Sequence, residues 1–160
     1  MGIGWGQLTF EPDEETLATF RSSWSWLLRE PYTALLFSTL GDVFLESEGG
    51  AVYWLNTGVG SLSQVADSAQ QFRSLLGTDR ANDWFLPSLI QELRQAGKHL
   101  RAGACYSFVI LPIFAEGKYE VSNLNPISAR EHFDLTGNIH RQLHSAPDGT
   151  RVRLHVQDET

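Results

Sequence analysis

The sequence predicts an α+β fold, a single domain built on a mainly antiparallel mixed sheet with helices packed on it. Three observations carry this expectation. Within residues 40–66 the apolar run Val43-Phe44-Leu45, the turn Glu48-Gly49-Gly50 and the aromatic, β-branched run Val52-Tyr53-Trp54-Leu55 make a hairpin pattern, which Asn56-Thr57-Gly58 closes. Ser61 to Val65 then alternates polar with apolar residues, as a half-buried third strand does. On both sides of this meander, apolar residues recur at helical spacing.

In chain order, residues 1–12 form a loosely ordered lead-in, Gly-rich at its start. Asp13, Glu14 and Glu15 then stand before Leu17, Phe20, Trp24, Leu27 and Leu28, which share one helical face, and acids in a first turn favour the positive end of the helix dipole. This predicts a helix over residues 13–29, stopped before Pro31. Residues 34–40 read as a strand leading into the meander. Asp67 or Ser68 caps a short helix through Ala69, Phe72, Leu75 and Leu76, and Gly77 ends it. A second helix over residues 82–96 repeats Phe85, Leu89 and Leu93, with Pro87 acceptable only in its opening turn. Together these two helices cover one sheet face.

Residues 106–111 and 118–124 read as two further strands joined by Ala115-Glu116-Gly117. Ser128 with Glu131 makes a capping box for a last helix repeating Leu135, Ile139 and Leu143. Gly137 works against that helix, since an interior glycine costs about 1 kcal/mol relative to alanine. The turn Ala146-Pro147-Asp148-Gly149 leads to an alternating terminal strand over residues 151–156.

With 160 residues, 42% of them apolar and 19% charged, the composition is that of a soluble globular protein able to bury a core. The net charge of −7, with Lys98 and Lys118 the only lysines, argues against nucleic acid as a direct partner, because phosphate binding needs clustered cations. The charge is uneven: residues 1–60 carry eight acids against Arg21 and Arg29, whereas residues 61–160 nearly balance at −1. Such a field is either a solvated acidic surface or a face complementary to a basic partner. Cys105 is the single cysteine; lying in an apolar run, it is expected to pack, and it suits a cytoplasmic location. No secretory signal or membrane-spanning stretch is expected, and Gly6 stands where a myristoylation signal requires Ser or Thr.

The pattern closest to catalysis is His140-Arg141-Gln142-Leu143-His144, two imidazoles at i and i+4 that can share a metal ion on a helix. It lacks the neighbouring Glu of a metalloprotease, and His132, Asp134 and Asp148 fall at no recognised ligand spacing. A small metal- or ligand-binding enzyme using His132, His140 and His144 is the alternative reading; histidines hydrogen-bonded along an amphipathic edge are the plainer one. No Ser elbow, Cys–His arrangement or dinucleotide fingerprint has its required context, and Glu46/Glu48 or Asp13/Glu15 sit where acids stay exposed and keep ordinary acidity. No catalytic, metal or cofactor set is therefore expected. Among the aromatics, Trp24 belongs to the core, and at least one of Trp5, Trp26, Tyr53 and Trp54 is a candidate surface anchor.

The phrases GDVFLE, VYWLNTGVG, QVADSAQQFRSLL, DWFLPSLIQELRQAG, CYSFVILPIF and NIHRQLHSAPDGTRV, in this order from roughly Trp24 to Val156, resemble the C-terminal domain of type VI secretion immunity proteins that protect against DNase effectors. In that resemblance the IHRQ and PDG elements are signatures of the fold. Some relatives carry an additional domain ahead of this one, for which the N-terminus here is expected to be too short. The resemblance implies a cytoplasmic protein that binds a cognate secreted toxin and needs no membrane; it fixes no oligomeric state. A nuclease must present a basic cleft to phosphates, so an acidic inhibitor can occupy it. Asp13, Glu14, Glu15, Asp42, Glu46 and Glu48, with Trp54 as an anchor, are the partner-binding candidates.

Overall fold

The computed structural model describes residues 3–144. The meander forms as its turn signals require: β3 (Val43–Ser47), β4 (Val52–Asn56) and β5 (Ser61–Ala66) pair antiparallel in sequence order. β2 (Tyr32–Ser38) joins β3, and a two-residue strand β1 (Thr9–Phe10) completes the sheet order β1-β2-β3-β4-β5. Val43, Phe44 and Leu45 are consecutive and all buried because both faces of β3 are covered. Phe44 and Val52 pack under α3 (Ala69–Leu75), α4 (Arg80–Phe85) and α5 (Pro87–Gln95), with Phe72, Trp84, Phe85 and Ile90. Val43, Leu45 and Leu55 point the other way, to Phe20, Trp24, Cys105 and Phe133 beneath α2 (Glu14–Ser23) and α6 (Ala129–His144).

Several boundaries differ from the sequence reading. The expected loose lead-in is tied down: α1 (Trp5–Leu8) precedes β1, and the Thr39 hydroxyl donates to Gln7 O at 2.8 Å. The first long helix is capped by Asp13, whose Oδ1 accepts from Thr16 N at 2.8 Å, but it stops at Ser23 rather than residue 29. There the chain turns so that Trp24 is fully buried and the Trp26 indole donates to Gly137 O at 3.1 Å. That contact accounts for Gly137, since a Cβ there would overlap the backbone of Ser23 where α2 crosses α6. The helix expected over 82–96 is two helices. Pro87 is the first residue of α5; a residue preceding proline avoids the right-handed helical region, and Leu86 ends α4 there in the left-handed region at φ +45°.

The strand expected over 118–124 does not form. Residues 121–123 make a 3₁₀ turn, and the chain extends only afterwards as β7 (Leu124–Ser128), which pairs antiparallel with β6 (Ala104–Phe108). Pro126 fits there because this second sheet has two strands, so its missing N–H breaks no further ladder. On α6 the buried face is His132, Phe133, Thr136, Gly137 and His140, while Leu135, Ile139 and Leu143 are only half-buried. The expected terminal strand and the turn before it lie outside the described residues. Among the described residues every strand pairing is antiparallel.

Candidate recognition site at the turn end of the sheet

The β2–β3 turn, residues 39–42, and the β4–β5 turn, residues 57–60, lie at the same end of the sheet, and α6 pins both from behind. His132 is 1% exposed. Its Nε2 lies 3.0 Å from Gly41 O and 3.0 Å from Thr57 Oγ1, and its Nδ1 lies 2.8 Å from Ser107 Oγ. A carbonyl only accepts, so Nε2 carries the proton and Nδ1 accepts from Ser107. Burial pushes His132 down to about 4, so the ring is neutral at physiological pH. About two turns further along α6 is His140, whose Nε2 donates to Thr57 O at 2.8 Å and which burial also makes less basic. Gly41 and Gly60 have φ +82° and +72°, and a Cβ on either would overlap the ring of His132 or His140 respectively. Each histidine thus dictates the glycine facing it.

Asp42 continues this network toward the front. Its Oδ1 accepts from Thr57 N at 2.9 Å and from Thr57 Oγ1 at 3.1 Å; its Oδ2 accepts from Trp54 Nε1 at 3.3 Å. The residue is 6% exposed, and burial outweighs these three donors, raising its pKa to about 7. Asp42 and Trp54 line a cleft of about 200 Å³ together with Asp83, Trp84, Phe108 and Tyr119. The strained Leu86 closes one side of it.

Beside the cleft, residues 109–119 form a compact loop with Val109 64%, Ile113 44% and Tyr119 45% exposed, and Ile110 exposed as well. The loop is clamped at its base by Asn123. Asn123 Oδ1 accepts from Ile110 N at 2.9 Å, and its Nδ2 donates to Ile110 O at 2.9 Å and to Lys118 O at 2.8 Å. Tyr119 meets Phe108 edge-on at 5.1 Å between ring centroids, so loop and cleft share a wall. Pro112 rests on Gly58 of the β4–β5 turn.

The residues singled out in the sequence are dispersed by the fold. Asp42 is a buried acid rather than an exposed one, because two turns close around it, although with Trp54 it does reach the cleft. Asp13 is spent as a helix cap, and Glu15 accepts from Arg130 at 2.9 Å on the α2–α6 side, with Glu14 exposed nearby. Glu46 is half-buried on β3, and Glu48 lies exposed in the following turn. His132, His140 and His144 do not converge: the first two are hydrogen-bonded as above, and His144 packs on Trp26 at 5.2 Å. Among the described residues, no three His, Cys, Asp or Glu side chains are placed to share a metal ion. Cys105 is fully buried, and burial pushes its thiol well up. Sequence reasoning missed Trp84, Asp83 and the loop residues. A run such as Phe108-Val109-Ile110-Leu111-Pro112-Ile113 looks like a strand, and only its exposure reveals it as surface.

These features define an α+β domain with a rigid turn end that presents an aromatic cleft and an apolar loop to solvent. Residues 66–140, which include that loop, match the family described as T6SS immunity protein Tdi1, C-terminal. No curated protein matches the chain. Among solved structures, the crystal structure of Atu4351 from Agrobacterium tumefaciens is similar, with a TM-score of 0.49 and 16% identity over 75% of this chain and 63% of that one, so the chain spans less than two thirds of that protein's length. No helix among the described residues is long and apolar enough to cross a membrane.

Proposed function

We propose that this chain is an immunity protein that neutralises a type VI secreted antibacterial toxin, a DNase, by occluding it in a protein–protein complex formed in the cytoplasm. The observation that carries the reading is the surface within the family-matched segment: Val109, Ile110, Ile113 and Tyr119 are exposed on a loop that Asn123 holds closed. Apolar residues fixed in place beside an aromatic cleft suit protein recognition, where a few buried aromatic and aliphatic anchors supply most of the affinity. The net charge of −7 complements the basic surface a nuclease turns toward DNA and speeds encounter. Glu14, Glu46 and Glu48 are exposed or half-exposed acids suited to that steering role, whereas Asp42 and Trp54 act within the cleft. The protein then works by binding, with no cofactor and no direct nucleic-acid contact.

Co-purification with the product of the neighbouring gene, followed by a nuclease assay of the complex, tests this. The expected result is a stable complex with suppressed cleavage of DNA, whose association slows severalfold when Glu46 and Glu48 are replaced by Lys. Unchanged nuclease activity at saturating protein would reject occlusion, and a toxin without nuclease activity would reject the DNase assignment.

A further inference from the structure

We propose that the cleft between Trp54 and Trp84 receives an arginine side chain of the protein partner, a reading that rests on the proposed toxin-binding role. The lining holds two carboxylates, Asp42 and Asp83, and no basic residue, among the aromatic faces of Trp54, Trp84, Phe108 and Tyr119. Aromatic walls with acids at floor and rim suit a planar cation, which stacks on the rings and donates to the carboxylates. The molecule already displays this chemistry at the cleft wall, where the Arg80 guanidinium lies over the Trp84 ring at 5.6 Å. At about 200 Å³ the cleft is smaller than the roughly 300–1,000 Å³ of drug-sized ligand sites, so one long side chain fits better than a cofactor. The floor is rigid because Thr57 holds Asp42 by backbone N–H and hydroxyl together, so little ordering is needed when the cation enters. A nuclease partner is rich in arginines at the surface that meets phosphates, which gives this cleft an abundant class of ligand.

The test uses the full chain labelled with ¹⁵N. The indole N–H signals of Trp54 and Trp84 are followed by NMR while N-acetyl-arginine amide is added, and again with N-acetyl-citrulline amide, which keeps the shape without the charge. The expected result is saturable movement of the Trp54 indole signal with the arginine probe, and binding at least about tenfold weaker for citrulline and for arginine in the Asp83→Asn variant. Asp83 is exposed on α4, so that variant keeps the fold. Equal responses to the two probes, or none at Trp54, would overturn the proposal. The complex with the adjacent-gene toxin separates this idea from the immunity reading. Arginine binding in the cleft without any toxin complex would support the cleft chemistry and remove the immunity role. A toxin complex equally tight with Asp83→Arg would leave immunity standing and reject the arginine pocket.

Discussion

Behind the turns at the end of the sheet, polar groups are buried and paired: His132 with Gly41, Thr57 and Ser107, and His140 with Thr57. In front of the same turns the arrangement is reversed, with Val109, Ile113 and Tyr119 exposed to water around an aromatic cleft. The two sides meet at Thr57, which touches His132 through its hydroxyl and Asp42 through both its hydroxyl and its N–H. The contrast teaches that the residues resembling catalytic chemistry serve here to hold a shape, whereas ordinary apolar residues carry the surface available for recognition. A buried polar group without its partner costs about 1–3 kcal/mol, so the rear network specifies one turn geometry. The exposed Val109 and Ile113 side chains at the front take no part in that network.

Breaking the rear should produce the largest effect. His132→Ala removes a fully buried ring, takes from Ser107 its hydrogen-bond partner and leaves Gly41 O with the Thr57 hydroxyl but not the imidazole, and Gly41→Ala forces a side chain into a left-handed conformation against that ring. Each should lower stability by about 3–5 kcal/mol, read from urea denaturation. Stability within about 1 kcal/mol of the wild type would mean that the turns are fixed by something other than these histidines.

The second effect is one of sign. His132 titrates at about 4 in the folded protein against an ordinary 6.5, so between those values the unfolded chain binds more protons and stability rises with pH. Asp42 titrates at about 7 against 3.8, so over that range the folded protein binds more protons and stability falls as pH rises. Each contribution is on the order of 3 kcal/mol, and in the wild type they oppose one another. Asp42→Asn should therefore expose a rise in stability from pH 4 to 6.5, and His132→Gln a fall from pH 4 to 7, both followed by denaturation midpoints. The groups packed around the pair leave these slopes readable: Ser107, Trp54 and Thr57 do not titrate in this range, and Cys105 does so only far above it. His140 shifts in the same direction as His132 and adds to the rise in Asp42→Asn. Parallel pH slopes in the two variants would contradict the assignment of a neutral His132 and a raised Asp42.

Much of the fold was legible in the sequence because its signals are local. The meander follows from Glu48-Gly49-Gly50 and Asn56-Thr57-Gly58, and the caps from Asp13, Ser68 and Ser128. The rest depends on contacts far apart in the chain. Gly137 counts against a helix until Ser23 and Trp26 are seen to lie on it, and no spacing announces that His132 faces Gly41 across 91 residues. On the last helix the buried side carries Phe133 together with His and Thr that find partners, so the repeat of Leu135, Ile139 and Leu143 marks the helix but not its buried face. The cleft was half legible, through Asp42 and Trp54. Asp83, Trp84 and Tyr119 join them only by folding.

Altering the front should have the smallest effect on stability, which makes it the sharpest test of the contrast. Val109 and Ile113 are exposed, and the loop bearing them is closed by Asn123 backbone and side-chain bonds that use neither side chain: Val109 N donates to Asn123 O at 2.8 Å, and Ile110 and Lys118 take the amide. Val109→Asp with Ile113→Asp should accordingly leave the denaturation midpoint within about 0.5 kcal/mol of the wild type, since surface changes away from caps and buried partners rarely exceed that. The same double variant should weaken the complex with the effector by at least about tenfold, because charges placed in an apolar anchor must be desolvated when the partner closes over them. Isothermal titration beside urea denaturation separates the two quantities. Loss of stability in step with loss of binding would show that this loop belongs to the packing of the turn end, as the histidines do. Stability kept with binding lost would show that shape and recognition occupy opposite sides of the same two turns.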